Sequence, residues 1–148
     1  MLSKADSYTL FIKQMKGLLL NEEDLIANLA NTAALYMEHF KPHWVGFYLV
    51  KGKELVLGPF QGPVACTRIA FGKGVCGKSW QNQQTIIVDN VHEFEGHIAC
   101  STFSNSEIVI PIIKNNTCLA VLDIDATSFG SFDEVDKEFL EEAVRLLY

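Results

Sequence analysis

Glu107-Ile108-Val109-Ile110-Pro111-Ile112-Ile113, then Lys114-Asn115-Asn116, then Thr117-Cys118-Leu119-Ala120-Val121-Leu122-Asp123-Ile124-Asp125-Ala126: two β-branched, apolar runs flank a short polar turn. That pattern is a β-hairpin, because branched side chains fit a pleated surface and the polar triplet breaks the run. Side chains alternate along a strand, so Asp123 and Asp125 share one face while Leu122 and Ile124 point to the other. Glu107 opens the neighbouring strand, whose remainder is uncharged. Acids interrupting an apolar strand cost stability unless they are paired or protonated.

Outward from this hairpin the same signals recur. Trp44 to Val50 is an aromatic and β-branched strand, Lys51-Gly52-Lys53 a turn, and Glu54 to Leu57 its partner. Gly58 to Pro63 reads as a loop. Thr67 to Ala70 and Thr85 to Val88 are short strands, and Val75 to Gln81 between them is a short helix. Asp89 to Ser106 shows neither period, and a stretch longer than about 12–15 residues without one is usually functional or disordered; the strong strands flanking it favour function. Towards the N-terminus, Tyr8, Phe11, Met15 and Leu18 mark a helix over Ser7 to Leu20. Asn21 is the expected cap of a second helix, with Glu22, Glu23 and Asp24 in its first turn. Its apolar face is Leu25, Leu29, Ala33, Tyr36 and Phe40, and Lys41-Pro42 ends it. Ser131 with Glu134 matches a capping box for a last helix facing the core through Val135, Phe139, Ala143 and Leu146. Tight turns between adjacent strands imply antiparallel pairing. The expected fold is one α+β domain, with N-terminal helices (1–41), sheet and site loops (44–126) and a C-terminal helix (132–148) covering a largely antiparallel sheet.

A chain of 148 residues, 49% hydrophobic, is sized for a single domain with a real core. Its net charge of −6 argues against nucleic acid as a partner, since backbone phosphates are bound by clustered Lys and Arg. Met1 to Asp6 lacks the pattern of an export signal, and Trp44 to Val50 is too short to cross a bilayer. The expectation is a cytoplasmic protein, off the membrane, with reduced cysteines.

Gly72-Lys73-Gly74-Val75-Cys76-Gly77 spells the dinucleotide fingerprint, but no βαβ unit of about 30 residues surrounds it, so these glycines read as a tight turn. Cys118 lies in a strand and reads as core, whereas Cys66, Cys76 and Cys100 lie in irregular segments or at a helix start. With His92 and His97 they include enough zinc donors, though without the short knuckle spacing of structural sites. Redox chemistry fits better: Cys100 follows His97 by three residues, and Cys76 opens a helix whose amides could favour a thiolate. Were Glu107, Asp123 and Asp125 to converge, repulsion would keep a proton on at least one of them near neutrality. Trp44 and Tyr48, on one strand face, could cap such a pocket.

With these residues assembled, the chain resembles the free methionine-(R)-sulfoxide reductases, a family built on the GAF fold. The matching segments are Trp44-Val45-Gly46-Phe47-Tyr48, Gly58-Pro59-Phe60-Gln61-Gly62, Gly72 to Gly77, Gly96-His97-Ile98-Ala99-Cys100, Ser106 to Pro111 and Leu122 to Ala126. The resemblance implies that Cys100 attacks the sulfoxide sulfur, Cys66 closes a disulfide on the resulting sulfenic acid, and Cys76 is an auxiliary thiol. It implies Trp44 and Tyr48 as the substrate's aromatic wall and Glu107, Asp123 and Asp125 as carboxylates that bind it and polarise S=O. Thioredoxin or a similar dithiol is the implied reductant, a homodimer the implied assembly, and no cofactor or metal is called for. Ser101 departs from the family, which usually carries an acid there. The rival readings are a ligand-sensing GAF module without catalysis and a zinc protein.

Overall fold

A computed structural model of the chain describes residues 1–98 and 103–148. Two helices, α1 (Lys4–Leu19) and α2 (Leu25–Phe40), precede strands β1 (Trp44–Lys51), β2 (Glu54–Gln61) and β3 (Arg68–Ala70). Helix α3 (Gly74–Asn82), β4 (Ile86–Val88), a 3₁₀ turn at Val91–Glu93, β5 (Ser106–Lys114), β6 (Thr117–Ala126) and α4 (Glu134–Val144) follow. The six strands form one sheet in the order β3-β2-β1-β6-β5-β4, every neighbouring pair antiparallel. This is the expected α+β architecture. No helix among the described residues is long and apolar enough to cross a membrane.

The alternation of β1, β5 and β6 divides the molecule. Val45 and Phe47, Ile108, Ile110 and Ile112, and Ala120, Leu122 and Ile124 face one way, into a core built with Tyr8, Phe11, Met15, Leu29 and Leu140 from α1, α2 and α4. Trp44, Tyr48, Val109 and Val121 face the other way, against Val75 and Cys76 of α3 and Val91 of the following loop. The central strands are covered on both sides, which is why β5 reads as a nearly continuous apolar run. At the hairpin tip Asn115 and Asn116 both take left-handed backbone (φ 54° and 64°), the geometry of a two-residue hairpin turn.

Several local expectations are corrected. β2 runs on to Gln61 through the expected Gly58-Pro59 loop, because those two residues form a bulge opposite Phe47. A bulge tolerates a proline that a regular ladder would reject. Asn21 adopts left-handed backbone and does not cap α2; Asp24 does, accepting from the Ala27 amide at 2.9 Å. The box on α4 is Asp133 with Asp136, not Ser131 with Glu134. Leu18 and Leu146 are exposed, while Ile12, Leu140, Val144 and Leu147 face the core. The long segment expected to lack structure carries the 3₁₀ turn and is pinned at its ends by Val91 N to Asn105 O (3.0 Å) and Asn105 N to Ala126 O (2.8 Å).

Candidate active site

On the sheet face away from the three long helices a cavity opens between β1, β5, β6, the start of α3 and the Pro63–Ala65 segment. Strand register builds its floor. Glu107 pairs directly with Asp125, Val109 with Asp123, Gly46 with Asp123 and Trp44 with Asp125. The hairpin and β1 therefore deliver three carboxylates and an aromatic ring to adjoining positions on one face. Gly46 lets Trp44 and Phe60 close over the strand: a Cβ there would stand 2.6 Å from the Trp44 ring.

Glu107 and Asp123 are each 6% exposed and Cys76 only 4%; Asp125 sits nearer the rim. Burial raises the Glu107 carboxyl well above its ordinary range, and the adjacent Asp123 and Asp125 charges raise it further. Asp125 is raised chiefly by burial and then by Asp123. Burial also raises Asp123, partly offset by its interactions with Glu107 and Cys76. Three carboxyls this close cannot all ionise, so the cluster retains protons near neutrality. Among the described residues only His97 approaches them as a base, its Nε2 4.0 Å from Glu107 Oε1, and burial lowers the His97 pKa. A neutral imidazole beside a neutral carboxyl is a polar contact, not an ion pair. Among the described residues no lysine or arginine forms a salt bridge with this wall, although Lys73 lines the same cavity.

The Trp44 ring stacks between Tyr48 (centroids 5.9 Å) and Phe60 (5.3 Å), and its Nε1 donates to Pro63 O at 3.0 Å. The Tyr48 hydroxyl donates to Cys66 O at 2.8 Å. Both rings line the cavity, and their polar atoms also anchor the segment that carries Cys66. Cys66 is disulfide-bonded, whereas Cys76 and Cys118 are free. Cys100 and Ser101 lie outside the described residues.

Cys76 departs from expectation. It does open α3, yet burial and then the Asp123 and Glu107 charges push its thiol well above the ordinary value, so the helix amides do not yield a thiolate. Gly72 and Gly74 have φ of +74° and +60°, the tight turn read from the glycine motif. Gly77 is required by packing, since a Cβ there would stand 2.8 Å from Ala70 O.

Trp44, Tyr48, Cys76, Glu107, Asp123 and Asp125 are thus brought to one cavity, with Cys66 held beside it. His43, Lys73 and His97 also line it, and of these the sequence pointed only to His97, as a neighbour of Cys100 and a zinc candidate. The donors of the rival zinc reading do not gather among the described residues: His92 bonds Asn105 Oδ1 instead, at 2.9 Å. The side chains that do converge with metal-donor atoms are Cys76, Glu107 and Asp123.

Residues 21–147 match the family model described as GAF domain. The chain is 51% identical over 146 residues to "GAF domain-containing protein A" of Dictyostelium discoideum, covering 98% of this chain and 92% of that one. It is 44% identical over 147 residues to the free methionine-R-sulfoxide reductase of Escherichia coli, covering 99% and 89%. Among solved structures, the free methionine-R-sulfoxide reductase of Neisseria meningitidis in complex with its substrate superposes with a TM-score of 0.97 at 47% identity, covering 99% of this chain and 89% of that one.

Proposed function

We propose that the chain, which belongs to the free methionine-R-sulfoxide reductase family of GAF-domain proteins, is an oxidoreductase that reduces free L-methionine (R)-sulfoxide to methionine. The observation that carries this reading is the wall of three proton-retaining carboxyls, Glu107 and Asp123 buried and Asp125 nearer the rim, facing an aromatic cavity.

A sulfoxide sulfur accepts a thiolate only as its oxygen is protonated, because oxide is otherwise too poor a leaving group. In the proposed reaction Cys100 supplies the nucleophile, and the cluster of Glu107, Asp123 and Asp125 gives the proton to the sulfoxide oxygen. Attack joins the Cys100 sulfur to the substrate sulfur; that S–S bond and the S–O bond then break as the protonated oxygen passes to Cys100, so methionine leaves with the electron pair and Cys100 becomes a sulfenic acid. Cys66 then condenses with it, forming the S–S bond and releasing water, a standard step for sulfenic acids. The disulfide on Cys66 supports its assignment as the resolving residue. A thioredoxin-like dithiol, which a reducing cytoplasm supplies, returns both thiols, and Cys76 serves as an alternative partner. Trp44 and Tyr48 pack against the sulfur end of the substrate, and ionised members of the acid wall attract its ammonium group. The free amino acid carries that charge; a methionine inside a peptide does not.

The test is incubation with the separated sulfoxide epimers and a dithiol, following methionine. The expected result is consumption of the R epimer with the S epimer untouched. Binding of the R epimer without conversion would replace this reading with a sensing module.

A further inference from the structure

We propose that Cys76, Glu107 and Asp123 form a binding site for a thiophilic divalent cation, zinc foremost, that competes with the amino-acid ligand for the same wall. One donor atom from each of the three residues lies within 4.8 Å of the others, and all three residues are buried. Donors on a tetrahedral zinc stand roughly 3–4 Å apart for bond lengths of about 2.0–2.3 Å, so small side-chain adjustments close the set. The site also has an open valence of its own. Asp123 is 6% exposed and lines the cavity, yet its Oδ1 has no hydrogen-bond partner. An orphaned, buried carboxylate oxygen is costly unless something fills its coordination.

The donor set selects the cation. Magnesium and calcium prefer all-oxygen shells, while one sulfur among oxygens suits zinc or cobalt. His97 lies outside this set, its Nε2 4.0 Å from Glu107 Oε1, so the fourth position is left to water or to another ligand. Asp125, paired in register with Glu107, stands behind that ligand as an outer partner. No lysine or arginine among the described residues forms a salt bridge with Glu107, Asp123 or Asp125, so nothing cationic has to be displaced. The cavity reaches the surface beside exposed Val64 and Lys73, which gives a route of entry. Binding is exchange, not redox: the cation takes the place of the Cys76 thiol proton and of the protons shared by the carboxyls, and these are released. Since the same groups face the substrate, metal and substrate exclude one another. That last consequence rests on the proposed reductase activity; the metal site itself does not.

Cobalt(II) chloride added to the full chain in its disulfide form is the direct probe, because the thiols at Cys76 and Cys118 remain free there. The expected result is one equivalent of cobalt with an intense sulfur-to-cobalt charge-transfer band, displaced by zinc. Cys118→Ser keeps the band, Cys76→Ser loses it, and Asp123→Asn weakens cobalt binding at least tenfold with the thiol intact. The Asp123→Asn arm remains decisive should Cys76→Ser not fold. Absence of the band in wild type, or its survival in Cys76→Ser, overturns the proposal. Free methionine (R)-sulfoxide is expected to displace the cobalt. If cobalt binds through Cys76 and the sulfoxide fails to displace it, the metal site stands and the assignment of the wall to that substrate falls.

Discussion

Two sets of buried carboxyls lie on opposite sides of the same sheet and are treated in opposite ways. On the helical side Asp136 is 3% exposed and fully supplied: Lys4 Nζ donates at 2.7 Å, the Tyr8 hydroxyl at 2.6 Å and the Asp133 amide at 2.8 Å. Tyr8 in turn meets Tyr36 at 3.0 Å, tying α1, α2 and α4 together. On the cavity side Glu107, Asp123 and Asp125 have one another, a neutral histidine and an orphaned oxygen. A carboxylate given a cation, a phenol and an amide is a structural joint. Carboxyls denied them hold protons and await a ligand, and the molecule gives up stability to keep them so.

The comparison can be broken by substitution. Cys100→Ser has the largest expected effect, a loss of turnover on the order of 10⁴-fold or more with the fold intact, read by methionine release. Undiminished turnover would remove the nucleophile from the account. Glu107→Gln or Asp125→Asn is expected to lower kcat/KM by about 10²–10⁴-fold, the usual worth of a positioned acid. The same variants should gain stability at alkaline pH. A carboxyl raised in the folded state contributes stability that is full below the ordinary range near pH ~4 and is lost as pH rises through its folded pKa. Wild type should therefore lose stability from about pH 4 upward relative to a Glu107→Gln/Asp123→Asn/Asp125→Asn variant, by about 1.4 kcal/mol per unit of upward shift. Paired denaturant titrations across that range read the difference, and parallel pH curves would contradict it.

Asp136→Asn reverses the pattern. Its loss is expected to cost about 1–3 kcal/mol, discounted because Lys4 is partly exposed, with kcat/KM unchanged in the folded fraction. Tyr48→Phe is the mildest. It removes the bond to Cys66 O, worth about 1 kcal/mol, and should slow disulfide closure more than the first release of methionine in a single-turnover experiment.

Much of this division was legible in the sequence. Period two in Thr117–Ala126 placed Asp123 and Asp125 on one face, and the hairpin put Glu107 on the neighbouring strand. Its pairing with Asp125 follows only from the observed register, in which Lys114 pairs with Thr117. Trp44 and Tyr48, four apart on β1, fell on the same side for the same reason. What the pattern could not carry was partner identity. The Asp136 network joins residues 132 and 128 positions away, Lys4 and Tyr8, so no local rule finds it, and the capping box was assigned two residues early. A helix-activated thiolate at Cys76 is not found because helix position is local while burial against β5 and β6 is not; the second outweighs the first. The β2 bulge was missed because a Gly-Pro pair signals a turn unless a partner strand accommodates it. Cys100, on which the proposed chemistry turns, lies outside the described residues.

The central claim is that the wall of Glu107, Asp123 and Asp125 carries an acidic proton at neutral pH. Difference infrared spectroscopy of the reduced protein at pH 7, wild type against the Glu107→Gln/Asp123→Asn/Asp125→Asn variant, reads it directly. The account predicts a carbonyl stretch of a protonated carboxylic acid in wild type that vanishes in the variant and is perturbed by methionine sulfoxide. A wild-type spectrum showing only ionised carboxylates at that pH would contradict it.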